Sequence, residues 1–554
     1  MHSTSSWAAR ACAAVVLLAG SAASASPPRT ILHNGQIFTA DPAHPWAQAV
    51  AIEGNRITDV GTDAQVLGCA HHGAVVYDLG GRTVIPGLND AHVHVSVPAG
   101  VSLNTNGFLP GPGPTLSDVL ALVAQGAATT PPGTWLFASV GTALLDDPGA
   151  NRFALDTVAP NHPVALFAWS GHGTIVDTKG LATLGIGLHA ADPFGGTYER
   201  VAGGSTLTGV AHEYAEYGIR RRLLSTLSDA DLVGQFQTHA AQSVQLGVTS
   251  IQDMPVGLTH ARALQVLAAA NLSIRVRSIC FPLTPDESCD AHHGQQGPLV
   301  TASGIKWVTD GTPIERMAFV TEAYQDRPGF FGHFNFSYDP LLDMVGAGFQ
   351  GPAAENQLLF HAVGDGAVSR VLDALEETGG DHAWRKRRPR IEHGDLLLDG
   401  DIERVQALGA VIVQNATHLA LTPVFAQRFS SGVLSNMEPL RSLLDAGIPL
   451  ALGTDGIGAR LSPFVDIFLA AIHPTRPDEA LSVEQAVTAY TRGSAFAEHT
   501  EKDKGSIAPG KLADLAVLSQ DIFHAPLPAV PGTYSMLTIV DGAVVWNAGL
   551  APSP

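Results

Sequence analysis

Positive charge is scarce in this sequence: 31 lysines and arginines stand against 51 aspartates and glutamates, a formal net charge of −20. That balance lacks the electrostatic footprint of a nucleic-acid binder and disfavours an anionic lipid surface as partner. Cysteine is scarcer still, with four in 554 residues. Cys12 lies in an N-terminal apolar run, and the odd remainder, Cys69, Cys280 and Cys289, is a poor disulfide framework without zinc-site spacing. Cys280 and Cys289 are close enough in sequence to pair in an oxidising compartment; spacing alone leaves open whether they do. Long hydrophobic runs are missing beyond the first residues, which excludes an internal membrane helix. The start itself carries Arg10, the short apolar run ACAAVVLLAG (11–20) and the small residues Ala23-Ser24-Ala25, the pattern of a signal peptide over 1–25. An exported protein is expected, periplasmic or secreted, with no membrane insertion in its mature form.

What remains is a chain long enough for more than one domain, rich in apolar residues, glycine and proline. Its two ends read alike. Residues 26–82 and 501–554 hold short β-like runs broken by turn residues, with Asp541-Gly542 as a hairpin signal. The ends are expected to join in one small composite β-sandwich. Between them, over 83–500, strands alternate with helices, the pattern of a parallel α/β fold. Eight strands are read at 83–94, 247–254, 274–281, 304–311, 356–365, 388–395, 411–418 and 449–456. Helical periodicity fits 229–246, 258–270, 367–378, 402–408, 440–446 and 483–496, with no helix evident between the third and fourth strands. Eight such units predict an α/β, TIM (β/α)8 barrel. Residues 95–246 exceed an ordinary connection and predict an inserted subdomain after the first strand, with strands of its own near 135–140 and 163–170.

A barrel of that kind places chemistry at the carboxyl ends of its strands. The first strand ends in Asp90-Ala91-His92-Val93-His94, where residues two apart share a face and both imidazoles can reach one metal. The fifth ends in His361-Ala362-Val363-Gly364-Asp365, the sixth in Arg390-Ile391-Glu392-His393 and the eighth in Gly453-Thr454-Asp455-Gly456. Each alone is a weak sign, since loop histidines and capping aspartates are common. Four together are a constellation.

The stretches PGLNDAHVH, HAVGDGA, RIEHGD and GTDG resemble those of the amidohydrolase superfamily, within it the branch containing N-substituted formamide deformylases. IFTADPAHPWAQAVAIEGNRITDVG near the start and GSIAPGKLADLAVL near the end extend the likeness over about residues 30–550. The resemblance implies a TIM barrel with a composite β-sandwich. It also implies one or two metal ions held by His92, His94, Lys306, His361, His393 and Asp455, and a homodimer. Lys306 sits in the apolar stretch GIKWVTDG; as a free ammonium it would repel cations, whereas N6-carboxylation makes it an anionic ligand able to bridge two ions. The bland alternative pairs it with Asp310 or Glu315. Histidine and oxygen donors suit zinc, Zn2+, and also manganese, iron or nickel.

The chemistry expected is hydrolysis of an amide-like C–N bond, of an N-substituted formamide or another N-acyl small molecule, by water whose pKa a divalent metal lowers to about 7. Asp455 would take the proton and pass it to the departing nitrogen. Deamination or cyclic-amide opening uses a similar metal site, and an inactive exported binding protein is the reading from another class. Among lesser candidates, His172 in Ser170-Gly171-His172-Gly173 is a substrate contact or a structural histidine. Asp253 is a support to a ligand or a buried cap. Gln414 and His418 are pocket-lining rather than ligating. Glu392 is expected to point away from the metal, His71-His72 and His292-His293 to be solvated, and 385–388 to be a solvated basic face. Phe167, Trp169, Trp307 and Phe331 are candidate apolar walls.

Overall fold

The structure, a computed structural model, describes residues 29–68, 73–105, 112–289, 294–348, 357–458 and 461–553. The expected signal peptide, Cys69, His71-His72 and His292-His293 lie outside these.

Eight strands pair in parallel, each with the next, in one curled sheet. They are β1 (Leu88–His94), β2 (Val248–Asp253), β3 (Arg275–Cys280), β4 (Val300–Val308), β5 (Leu358–Ala362), β6 (Arg390–His393), β7 (Val411–Gln414) and β8 (Leu450–Leu452). Just past β8, Gly456–Ile457 pairs in parallel with Val93 and His94 at the end of β1, so the last segment lies beside the first. Helices connect the strands where the periodicity predicts them, and a further helix that it does not predict, Tyr338–Ala347, lies between β4 and β5. Ser228 and Asp231 form a reciprocal cap on Asp229–Ser243, and Thr259 caps His260–Ala270. Between β3 and β4 the described residues form no helix, only Gly294–Gln295 lying antiparallel on β4. Cys280 and Cys289 are disulfide-bonded there.

The stretch read as one strand over 83–94 is two. Thr83–Pro86 pairs with Leu515–Leu518 and Gln36–Phe38 in a different sheet, and only Leu88–His94 enters the curled one. Gly87 is the step between them, packed so closely on Thr249 that a side chain there would collide with it. That other sheet is six-stranded and shared by both ends of the chain, in the order Ala543–Asn547, Ser535–Val540, Leu515–Leu518, Thr83–Pro86, Gln36–Phe38, Trp46–Ala47. A four-stranded N-terminal sheet faces it across one apolar core of Leu32, Val50, Ile52, Val84, Leu515 and Leu537.

Residues between β1 and β2 build a fourth sheet, six-stranded, which includes Leu136–Val140 and Val164–Ala168 as neighbours. Alternation along these strands feeds two cores. Leu136, Ala138, Val164 and Leu166 pack on one face, and Phe137 and Ala165 on the other. The turn after Val164–Ala168 and the helix Tyr214–Leu224 reach the carboxyl ends of the barrel-type strands.

Candidate metal centre

His92 and His94 leave β1 on the same face, as the two-residue repeat requires. Their Nε2 atoms lie 3.5 and 3.3 Å from Asp455 Oδ1. Each ring is fixed from behind: His92 Nδ1 is 2.7 Å from Glu392 Oε2, and His94 Nδ1 is 2.7 Å from the Met254 carbonyl oxygen. An acceptor at Nδ1 holds the proton there and leaves the Nε2 lone pair for a cation.

Asp455 arrives from the far end of the sheet because the chain beyond β8 is clamped to β1. Thr454 donates its amide to Asp90 Oδ1 at 2.9 Å and its hydroxyl to Asp90 Oδ2 at 2.6 Å. The Asp455 amide donates to the His92 carbonyl at 2.8 Å. Burial pushes Asp90 up to about 7. For Asp455, burial is outweighed by His92, His418 and His94, which hold its carboxyl well below the usual range.

His361 ends β5, buried, with Nε2 3.8 Å from Asp310 Oδ1 and no hydrogen-bond partner for that atom among the described residues. Its ring centroid is 4.4 Å from that of His393, which ends β6 at φ 71° with Nδ1 2.8 Å from Asn415 Oδ1. Burial, then neighbouring positive charge, keeps both rings well below the ordinary imidazole pKa, and lowers His92 to about 4. Neutral imidazole is the form that ligates metal. Lys306, on β4, is 1 % exposed, and its Nζ has no hydrogen-bond partner among the described residues. Burial lowers its pKa to about 8. Neither acid proposed as its bland partner bonds to it. Asp310 accepts the amides of Phe319, Val363 and Gly364, and Glu315 the hydroxyls of Ser170 and Thr312.

The insertion contributes His172. Its ring centroid is 4.5 Å from that of His361, and its Nδ1 is 3.0 Å from both Glu213 Oε2 and the Tyr217 hydroxyl. Burial alone would lower its pKa; Glu213, Glu315 and Asp455 raise it to about 9. Glu213 takes φ 54°, ψ −126°, a strained backbone for a residue with a side chain.

Two groups of donors, His92-His94-Asp455 and His393-His418-Asp455, each have ligand atoms within 4.8 Å of one another. Imidazole and carboxylate donors, with the orphaned Lys306 Nζ and His361 Nε2 beside them, fit a divalent cation. A chamber is lined by all six residues proposed as ligands, with His172 and Arg220 from the insertion. An apolar cleft adjoins it, walled by Trp169, Ile314, Val363, Leu421, Phe425 and Leu461.

Several sequence readings need correcting. His418 lines the cleft as read, and it also stands with Nε2 3.6 Å from Asp455 Oδ2 and Nδ1 2.9 Å from Asp395 Oδ2, inside the second donor group. Glu392 does not point away: it lies between His92 and Arg390, whose guanidinium holds its carboxyl well below the usual range against burial. Arg388 in the expected solvated face pairs with Glu501 at 2.8 Å. Trp307 is in the core and Phe331 is exposed, so of the four aromatics Trp169 lines the cleft and Phe167 a neighbouring groove. Asp253 accepts the Val95 amide and Gln414 donates to the Gly394 carbonyl, positions behind the strand ends.

The model of the Amidohydrolase family matches residues 75–546. This chain belongs to the amidohydrolase family. It is a metal-dependent hydrolase of carbon–nitrogen bonds, as the family is. This amidohydrolase is 27% identical to the N-substituted formamide deformylase of Arthrobacter pascens, over 92% of this chain and 97% of the relative. It is also 27% identical to the LONG AFTER FAR-RED 3 protein of Arabidopsis thaliana, over 88% and 87%. A metal-dependent hydrolase of Pyrococcus horikoshii shares the fold with a TM-score of 0.68 at 20% identity, covering 90% of this chain and 99% of that one.

Proposed function

We propose that this amidohydrolase cleaves the C–N bond of an N-acyl small molecule, with N-substituted formamides in the class, at a centre held by His92, His94, Lys306, His361, His393 and Asp455. The observation that carries this is the approach of two Nδ1-anchored imidazoles, His92 and His94, to one carboxylate oxygen of Asp455. A divalent cation, for which zinc is one fit to the donors, would when bound lower the pKa of water to about 7 and polarise the acyl oxygen. Asp455 accepts a proton from water as oxygen adds to the acyl carbon, and passes it to the nitrogen as that atom leaves with the bonding pair. His172, anchored at Nδ1 by Glu213, turns its other ring nitrogen toward substrate as a hydrogen-bond donor. The products are a carboxylic acid and an amine.

The supporting frame in this reading is a closed (β/α)8 barrel over 83–500 with the 95–246 insertion, flanked by a composite β-sandwich from both ends. Carboxylated Lys306 is favoured by its orphaned amine, whose pKa of about 8 leaves a neutral fraction to react with carbon dioxide. An exported mature form is supported by the Cys280–Cys289 disulfide, and we retain the homodimer as a proposal.

Metal analysis with Asp455→Asn tests the core of this reading: the variant is expected to keep metal and lose most turnover. Screening metal-supplemented protein against N-formyl amines, N-acyl amino acids and cyclic amides reads the bond directly. Release of ammonia, or ring opening alone, would reject the N-acyl assignment.

A further inference from the structure

Five arginines of the described residues are buried: Arg152, Arg220, Arg277, Arg390 and Arg428. Each nitrogen of the Arg277, Arg390 and Arg428 guanidiniums has a hydrogen-bond acceptor, and Arg152 leaves one without. Arg220 differs. Only its Nε is engaged, with Glu216 Oε1, and its guanidinium carbon lies 4.9 Å from the centroid of the Phe167 ring. Both terminal nitrogens are without a hydrogen bond among the described residues, and they open onto solvent although the residue as a whole is buried. Its two terminal nitrogens are therefore donors free to meet water or a ligand.

Its place says which. Arg220 lines the metal chamber and also a groove beside it, formed in part by Val97, Phe137, Phe167 and Trp169. Across the chamber, the cleft and this groove, the lysines and arginines that line a wall are Lys306 and Arg220. Lys306 lies toward Glu392 and Arg390 in the sheet interior, so Arg220 is the guanidinium met from the insertion side. Chamber and cleft share Ser170, His172, His361, His393, Asp455 and Ile457, and chamber and groove share Arg220 and Ile457. The reacting bond therefore sits where an apolar wall and a free cationic fork converge.

We propose that Arg220 binds a carboxylate on the amine side of the substrate, which makes the substrate an N-acylated amine whose α-carbon carries both an apolar arm and a carboxylate. The apolar arm enters the Trp169–Leu421–Phe425 cleft, whose walls hold no lysine or arginine, and the carboxylate takes the two free nitrogens of Arg220 side by side, the pairing that guanidinium geometry favours. The cleaved bond is taken from the function proposed above; the anion requirement is new.

The test uses the full, metal-loaded chain and two probes of one shape, N-formyl-phenylalanine and its neutral carboxamide, N-formyl-phenylalaninamide. Binding is measured by calorimetry in Asp455→Asn, which removes turnover, and kcat/KM is measured in the wild type. The acid is expected to bind at least tenfold more tightly than the amide. Arg220→Met made together with Glu216→Gln, so that no lone buried carboxylate remains, is expected to erase that preference while leaving amide binding unchanged. Equal affinity for acid and amide, or equal weakening of both in the double variant, overturns the proposal. Acid preference without hydrolysis of either probe would uphold Arg220 and reject the bond; hydrolysis of both without preference would do the reverse.

Discussion

Two layers of buried polar residues lie one above the other inside the curled sheet, and they are built in opposite ways. In the lower layer every group is answered. Arg390 reaches both oxygens of Glu392 at 2.7 and 2.9 Å and the Ala91 carbonyl at 2.9 Å, and also bonds Gln252. Arg277 bonds Ser303, Gln252 and Gln357, and Gln357 donates in turn to the Ala497 and Arg388 carbonyls. In the upper layer Lys306 Nζ and His361 Nε2 are buried without a hydrogen-bond partner among the described residues, and His92 and His94 aim bare nitrogens at a carboxylate. Burial of polar atoms is common to both. Unmet bonding capacity belongs to the upper layer, and that, rather than polarity, marks the site.

Four variants break or sharpen this contrast. Lys306→Met removes an amine that nothing in the fold requires; it is expected to abolish tight metal binding, read as metal per chain, with the thermal midpoint kept or raised. Arg390→Met strikes the answered layer instead. It strands Glu392 and Gln252, and denaturant unfolding should show a loss of about 3–5 kcal/mol. Glu392→Gln touches both layers, since Glu392 joins Arg390 to the back of His92; metal affinity should fall roughly 10–100-fold in competitive titration. If Lys306→Met unfolded the chain while Arg390→Met did not, the contrast would be wrong.

The smallest effect is a control in the insertion. Burial pushes Asp177, which caps Thr178–Thr183, up to about 6. The folded chain then holds a proton that the unfolded chain, near 3.8, has released. Its contribution to stability is therefore present below pH 3.8 and lost as pH rises to about 6. Asp177→Asn should flatten unfolding free energy across that window and leave metal binding alone.

Much of the candidate centre was readable in the chain because its donor residues sit at strand ends, where local pattern speaks. His92, His94, His361, His393 and Asp455 all fall there. The Asp541-Gly542 hairpin was equally local, and both residues adopt the positive φ it demands, 51° and 77°. What escaped was set by distant neighbours. Glu392 was misread by strict alternation, which fails where β6 ends: His393 swings to φ 71°, so two consecutive side chains both serve the centre. His418 owes its role to Asp395 and Asp455, and Arg388 finds Glu501 113 residues away. Glu213 and Arg220 lie in an insertion whose placement over the strand ends no short motif announces.

The clamp of Thr454 on Asp90 spans 364 positions of the chain. During synthesis His92 leaves the ribosome long before Asp455 exists, and a nascent chain truncated before β8 holds its imidazoles without the carboxylate they face. On the function proposed above, activity begins only once that segment has been made. Proteolytic loss of the last third would disarm the protein even if the remaining strands stayed folded.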